Sequence, residues 1–346
     1  MGVSAAYQPI VDTARGIIVG YEGLARFALA GDVSVEDLFA QARDSSRSAE
    51  IEATCLRVAL AERASIPGNC FLTVNVSPTV LGDDVIRAVW ADHPDLRGVI
   101  VEITEQARID SYAGLEPDLD RIRGTGALLA VDDAGSGYAG LTHLLELKPA
   151  LIKLDRELVR GIDTDEAKRA LVEMIGTFAS RIDSWLLAEG IETAAEYDTI
   201  TALGVPLAQG YHLARPGPAW PVLNTSLAPA REARSVPIVR DLCDPVPAVH
   251  SAADAARVFT DHPDVRTVVL IDDHDRPVSV LDTESSHLGV VSEALRVNLD
   301  TPVRDALLRA ITRDRAGRYD PLIIVDNAGR YAGIVRIERL ITTAVR

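Results

Sequence analysis

Three short runs between residues 98 and 155 decide the fold: GVIVEITE at 98–105, ALLAVDD at 127–133 and ALIKLD at 150–155. Each run is apolar, has the length of a buried strand, and ends in acidic residues. Helical segments lie between such runs, for example AKRALVEMIGTFASRI at 167–182, which has the apolar period and the residue propensities of a helix. This alternation predicts parallel strands joined by crossover helices.

The same alternation continues on both sides of this stretch and ends near Trp220. Further apolar runs that predict strands lie at 5–12, 18–26, 71–77, 184–191 and 207–211. The total is about eight, the number of strands in a closed barrel of roughly 250 residues or a little less. Residues 1–222 are therefore predicted to form a TIM-like (β/α)8 barrel of the α/β class.

A different pattern follows the barrel. Residues 223–235 are small and polar and contain proline, which predicts a linker. Between residues 236 and 346, an apolar strand, a charged turn and a second apolar strand occur twice, in 267–282 and again in 320–337. This loose internal duplication predicts a smaller α+β domain.

Charge and composition limit the classes of function. The net charge of −16 argues against a surface for a nucleic-acid polymer, which needs clustered Lys and Arg. The barrel is the acidic part, because residues 236–346 hold 14 Arg and 17 acidic residues, against 21 basic and 34 acidic residues upstream. Three scattered cysteines fit a reducing compartment, and no apolar run reaches the roughly 18 residues of a membrane helix. We expect a cytoplasmic protein without membrane insertion.

Polar residues lie at the carboxyl end of almost every predicted strand, where barrel enzymes carry their chemistry. They are Glu22, Asn75, Glu102, Asp132, Asp133, Lys153, Glu189 and Gln209. Any one of them alone is more simply explained as a strand-end residue that caps a loop. Eight such residues at one rim predict a functional site.

Five of these residues are acids, and within the set only Lys153 opposes their charge. Two like charges about 4 Å apart repel by roughly 4 kcal/mol at an effective dielectric constant of 20. Either several acids are protonated or cations lie among them. An all-oxygen donor set suits Mg²⁺ or Mn²⁺, and adjacent Asp132 and Asp133 could serve two ions. The pattern points to metal-assisted cleavage of a phosphate ester.

Two basic residues have more than one interpretation. Lys153 is one of three lysines in the chain; it could orient the attacking water, help to acidify it, or stand at this position by chance. Arg26, four residues after Glu22, could contact a substrate phosphate or form a surface ion pair.

Ordered motifs in the barrel resemble the EAL domain family. They are YQPI from Tyr7, EGLAR from Glu22 with Gly23 where the family has alanine, NVSP from Asn75, EITE from Glu102, DDAGSGYAGL from Asp132, IKLD from Ile152, AEGIET from Ala188 and QGYHLARP from Gln209. The resemblance covers residues 7–216. It implies a phosphodiesterase that opens cyclic di-GMP to linear 5′-pGpG with two Mg²⁺ or Mn²⁺ ions in the active site.

The same resemblance implies roles for individual residues. The first metal ion would be held by Glu22, Asn75, Glu102 and Asp132, and the second by Asp132, Asp133 and Glu189. The water would be positioned and deprotonated by Lys153 and Glu189, with support from Glu192 and Gln209. Arg26 would take a phosphate, Gln8 and Leu24 would contact guanine, and Glu105 would secure the loop after Asp133.

That loop departs from the family pattern. Ala134 replaces an aromatic residue and Ser136 a threonine, whereas the glycines at 135 and 137 are retained. The change is compatible with an active but weak enzyme, or with a cyclic di-GMP receptor that signals through the C-terminal domain. A third interpretation, an unrelated barrel enzyme acting on a sugar or a small phosphate, rests on fold analogy alone.

The C-terminal region resembles a pair of CBS motifs, at 237–282 and 291–345. Such pairs often bind adenine nucleotides and often dimerise, which implies a regulatory or dimerisation domain and a homodimer. The family's ribose-binding aspartate corresponds to Arg339 in the second motif and lies near Ser285 in the first, and Arg336 replaces an expected hydroxyl residue. These replacements disfavour a nucleotide, although the two arginines could attract an anionic effector.

Overall fold

A computed structural model describes most of the chain and divides it into two compact units, Met1–Glu232 and Ala233–Arg346. The described residues are 2–28, 38, 42, 46–103, 114–134, 147–182, 184–224, 237–283, 292–293, 295–299, 301–311, 313, 319–326 and 329–344.

The first unit is a closed barrel of eight strands whose order around the barrel follows the chain. The strands are β1 Val3–Asp12, β2 Ile17–Phe27, β3 Phe71–Val76, β4 Val99–Ile103, β5 Leu128–Ala134, β6 Leu151–Leu154, β7 Trp185–Ala188 and β8 Leu207–Ala208. The helices are α1 Ser48–Leu60, α2 Asp84–Asp92, α3 Glu116–Gly124, α4 Arg156–Val159, α5 Glu166–Arg181 and α6 Ala194–Ala202. The predicted α/β barrel is confirmed. Over the described ranges, no helix has the length and apolar character needed to cross a membrane.

The first strand runs against the expected direction. Strands β2 to β8 are mutually parallel, but β1 is antiparallel to both β2 and β8. The reason is the connection, because only the turn Thr13–Gly16 separates β1 from β2, and a parallel crossover needs a dozen residues or more. Gly16 adopts φ +65° in this turn, and its N–H donates to the carbonyl of Asp12 at 2.8 Å. The parallel arrangement inferred for all eight strands is therefore wrong for β1.

The barrel has an apolar interior and an apolar outer layer. Alternate residues of most strands point inwards, and in β2 the alternation shifts at Val19, where the pairing register with β1 is irregular. The interior cluster consists of Ile10, Val19, Phe71, Ile100, Ala130, Leu151, Leu187 and Leu207. The larger outer cluster packs the opposite strand faces against the helices, for example through Leu72, Ile86 and Ile122. The interior cluster fills the middle of the barrel, and polar side chains occupy the end of the barrel where the parallel strands finish.

The second unit repeats one arrangement of elements. Its first half contains β9 Ala248–Val249, α7 Ala252–Asp261, β10 Thr267–Ile271, β11 Pro277–Asp282 and β12 Ser292–Glu293. Its second half contains β13 Arg296–Asn298, α8 Val303–Ile311, β14 Leu322–Val325, β15 Tyr331–Val335 and α9 Ile337–Ala344. In each half a strand, a helix and a parallel strand are followed by an antiparallel strand. The inferred internal duplication is present in the fold.

Candidate active site at the carboxyl ends of the strands

The barrel brings the predicted polar residues to one rim. Most lie near or directly after the carboxyl end of a parallel strand, from Asn75 on β3 to Gln209 after β8, whereas Glu22 lies in the middle of the longer β2, opposite Thr73 of β3. Convergence is centred on Lys153, whose side chain on β6 is 1% exposed. Residues that are far apart in the sequence therefore share one buried site.

Four carboxylates surround the ammonium nitrogen of Lys153. Its Nζ lies 2.6 Å from Glu102 Oε2 and 2.7 Å from Glu189 Oε1. Asp132 Oδ1 is 3.2 Å away and Glu22 Oε1 is 3.4 Å away. Four acids against one cation leave an excess of negative charge in a buried place, as the sequence predicted.

Burial and the neighbouring charges shift the pKa values of the cluster in different directions. Burial opposes the charge of Lys153, but the fields of Asp132, Glu102, Glu189 and Glu22 outweigh it and raise its pKa well above the usual value. Burial raises the pKa of Glu102 to about 8 and that of Glu189 well above the ordinary range, in spite of Lys153. The pKa of Glu22 is lowered, because Lys153 and two side-chain amides overcome the effect of its burial. A metal cation that binds in this cluster would have to displace protons from Glu102 and Glu189.

The carboxylate of Glu22 is held on both oxygens. Asn75 Nδ2 donates to Glu22 Oε1 at 2.9 Å, and Gln209 Nε2 donates to Glu22 Oε2 at 2.6 Å. Gln209 Nε2 also donates to Oε1 of Gln8 at 3.0 Å. Two predicted amides thus orient an acid that was predicted to be a metal ligand.

The donor set fits an oxygen-seeking divalent cation. All of the predicted ligands are carboxylate or amide oxygens, which Mg²⁺ and Mn²⁺ accept. Oε1 of Glu102 is buried and has no hydrogen-bond partner among the described residues. Within that part of the chain no three acid, histidine or cysteine side chains are already arranged around an ion position, because the carboxylates face the ammonium of Lys153. The chemistry fits a metal, and the acids would have to turn towards it.

Other predicted substrate and support residues lie outside the Lys153 cluster. On β2, Leu24 is half-buried and Arg26 is exposed; Arg26 Nη1 donates to the carbonyl of neighbouring Ala25 at 3.1 Å. Glu192 is exposed and pairs with Arg156 at 2.6 Å. These residues do not contribute to the buried charge around Lys153.

Glu196 on α6 is a supporting residue that the sequence predictions did not include. One of its carboxylate oxygens accepts from the N–H groups of Glu192 at 2.9 Å and Thr193 at 3.0 Å, and the other accepts from Gly161 N at 2.9 Å. It secures the chain that follows Glu189. The signal was present, because Thr193 and Glu196 have the spacing of a capping box, and the structure forms that box.

Some predicted residues lie outside the described part. Glu105 and the residues at 135–137 are not described, and of Asp133 and Ala134 only the backbone is, as the last two residues of β5. Their assigned roles stay predictions.

Comparison with known families matches most of the first unit and the second half of the second unit. A family model for the EAL domain matches residues 2–216, and one for the CBS domain matches residues 288–345, the second of the two predicted motifs. The chain is 30% identical over 227 residues to the cyclic di-GMP phosphodiesterase PA2567 of Pseudomonas aeruginosa. The aligned segment covers 62% of this chain and 38% of that protein.

Solved structures resemble the barrel as well. One is a standalone EAL protein from Vibrio cholerae in its c-di-GMP-bound form, with a TM-score of 0.56 and 26% identity over 64% of this chain and 96% of that one. Another is BlrP1 of Klebsiella pneumoniae with manganese and cyclic di-GMP, with a TM-score of 0.56 and 29% identity over 63% of this chain and 56% of that one. The chain spans only 27% to 39% of the length of the first curated relatives it matches.

Proposed function

Since the chain belongs to the EAL domain family, we propose that its barrel hydrolyses cyclic di-GMP to linear 5′-pGpG. The observation that carries the proposal is the convergence of Glu22, Glu102, Asp132 and Glu189 on buried Lys153 at the rim. A relative named a cyclic di-GMP phosphodiesterase and solved structures holding this ligand support the choice of substrate.

The proposed cofactors are two Mg²⁺ or Mn²⁺ ions. The first would be held by Glu22, Asn75, Glu102 and Asp132, and the second by Asp132, Asp133 and Glu189. When bound, such ions would lower the pKa of a bound water and neutralise charge on the phosphate oxygens. Manganese in the BlrP1 complex supports a divalent cation in this kind of site.

The residues of the chain would divide the remaining work. Lys153 stays cationic among four acids, so it orients the attacking water and offsets negative charge. Once a bound cation has displaced its own proton, Glu189, which lies 2.7 Å from Nζ of Lys153, would accept the proton of that water. The water oxygen bonds to phosphorus, the bond from phosphorus to the 3′ oxygen breaks, and the 3′ oxygen takes up a proton. Arg26 would hold the phosphate, and Leu24 would contact the base.

Turnover of the pure protein tests the proposal. The full chain is incubated with cyclic di-GMP and Mn²⁺, and nucleotides are separated by chromatography, with EDTA as the metal-free arm. We expect 5′-pGpG to accumulate only with metal, and Glu102→Gln to remove the activity. Intact substrate after long incubation would contradict an enzyme. Calorimetric binding of the dinucleotide in Ca²⁺ without turnover in Mg²⁺ or Mn²⁺ would identify a receptor that signals through the C-terminal unit.

The second unit is proposed to regulate or dimerise the protein. Arg336 and Arg339 both pair with Asp244, which leaves one positive charge for an anionic effector. We expect a homodimer, and light scattering at working concentration would show twice the chain mass. Cytoplasmic action is proposed because all three cysteines are described and unpaired, as in a reducing compartment.

A further inference from the structure

Gln8 lies inside the barrel at the level of Glu22. It shares a strand face with Ile10, which belongs to the interior cluster, and it is opposite Glu22 in the pairing of β1 with β2. Its residue exposure is 7%, whereas Leu24 is half-buried and Arg26 exposed on the neighbouring strand. A guanine base would therefore reach Leu24 more easily than Gln8.

The hydrogen bonds of Gln8 fix the orientation of two amides. Gln8 Nε2 donates to the carbonyl of Ala214 at 2.9 Å, so its Oε1 must face the other way, towards Gln209. Gln209 Nε2 has two hydrogens and uses one on Gln8 Oε1 at 3.0 Å and the other on Glu22 Oε2 at 2.6 Å. A reversed Gln8 amide would place its oxygen against the carbonyl of Ala214, which has no hydrogen to donate. The carbonyl of Ala214 therefore fixes the orientation of the Gln8 amide, and the Gln8 oxygen in turn fixes the orientation of the Gln209 amide.

We infer that Gln8 is a positioning residue for Glu22, acting through Gln209, and that this is its role in the metal site of the proposed function. With Gln8 in place, the amide nitrogen of Gln209 is directed at Glu22. Without it, that amide can rotate and present its oxygen to the carboxylate, which would repel Glu22. Groups that orient metal ligands commonly change metal affinity or activity by roughly 10 to 100-fold when they are removed.

The test uses Gln8→Met in the full chain, because methionine keeps the length of the side chain and removes both hydrogen bonds. Calorimetric titration of metal-free protein with Mn²⁺ should show an affinity about tenfold lower, and kcat should fall with KM unchanged. The matched control is Tyr7→Phe, which removes the hydrogen bond from Tyr7 Oη to the Ala59 carbonyl on the outer face of the same strand. The control should leave Mn²⁺ affinity unchanged.

A double variant tests the path. If Gln8 acts through Gln209, Gln8→Met combined with Gln209→Met should bind Mn²⁺ no more weakly than Gln209→Met alone. Additive losses, or an unchanged affinity with a raised KM in Gln8→Met, would overturn the inference. Gln8→Leu serves as a second variant if Gln8→Met does not fold.

A crystal structure of metal-free Gln8→Met separates this inference from the proposed function. The bond from Gln209 Nε2 to Glu22 Oε2 should be broken in it, and a retained distance of 2.6 Å would refute the positioning role. That result does not depend on turnover. A wild-type protein that neither binds Mn²⁺ nor hydrolyses the substrate would refute the proposed function and would leave the hydrogen bonding of Gln8 and Gln209 to be judged from the crystal structure.

Discussion

Nζ of Lys153 lies 2.6 Å from Oε2 of Glu102, and both side chains are almost completely withdrawn from solvent. The pair bridges β6 and β4, which both neighbour β5, and Glu22 on β2 approaches the same nitrogen at 3.4 Å from the opposite side of the closed barrel. A buried pair of this kind is weak evidence for stability, because the cost of desolvation offsets the attraction. We therefore assign it to function, and the closed barrel gives the four acids a common centre.

Loss of the Lys153 charge should affect activity and folding together. In Lys153→Met the surrounding carboxylates lose their cation, so we expect turnover to fall by at least about 100-fold and the free energy of unfolding by about 3 kcal/mol. Urea denaturation and product chromatography measure both. The matched control is Lys168→Met, a half-buried lysine outside the site whose Nζ donates to the carbonyls of Glu157 and Arg160. Wild-type turnover in Lys153→Met would contradict the assigned role.

Glu196 should make stability depend on pH. Burial opposes its charge, but bonds from the N–H groups of Gly161, Glu192 and Thr193 lower its pKa. A depressed pKa in the folded state stabilises the fold above the unfolded value of about 4.3, and this contribution is lost as the pH falls through the folded pKa. Glu196→Gln should thus cost about 1 to 3 kcal/mol at pH 7.

The difference between wild type and Glu196→Gln should shrink as the pH falls from about 5 towards 3. Urea unfolding at a series of pH values measures it. A gap that stays constant, or grows in acid, would show that the carboxylate charge is not responsible.

Gly210 should not tolerate a side chain. A Cβ at this position would lie 2.1 Å from the carbonyl oxygen of Ile191 and 2.3 Å from its nitrogen, and both are backbone atoms that cannot turn aside. We expect Gly210→Ala to destabilise the barrel by about 3 kcal/mol and to displace Gln209. Gly124→Ala is the control, because nothing lies within 4 Å of its added Cβ. Equal melting temperatures for the two variants would disprove the clash.

Mn²⁺ should stabilise the folded chain. A ligand that binds only the folded state adds about 2.7 kcal/mol at a hundredfold excess over its Kd. Thermal unfolding with Mn²⁺ and with EDTA measures the gain. It should disappear in Glu22→Gln and Asp132→Asn and persist in Glu50→Gln, which changes an exposed carboxylate of α1. An equal gain in all three variants would place the metal elsewhere.

The sequence predicted the convergence of the acids because parallel barrel strands place their carboxyl ends at one rim, whatever their separation along the chain. The reversal of β1 was readable as well, in the four residues between β1 and β2. The hydrogen bond from Gln8 to the backbone carbonyl of Ala214 was not predictable, because the two residues are 206 positions apart. Every residue has a backbone carbonyl, so no residue type identifies this partner. The pairing of Glu192 with Arg156 likewise depends on loop geometry that no motif encodes.

A crystal structure of the full chain soaked with Mn²⁺ and recorded at the manganese absorption edge tests the central claim most directly. The account predicts anomalous density at the rim within bonding distance of oxygens of Glu22, Glu102 and Asp132, with these carboxylates turned from the ammonium of Lys153. Density elsewhere, or a rim in which all four acids still surround Lys153 at saturating Mn²⁺, would contradict it.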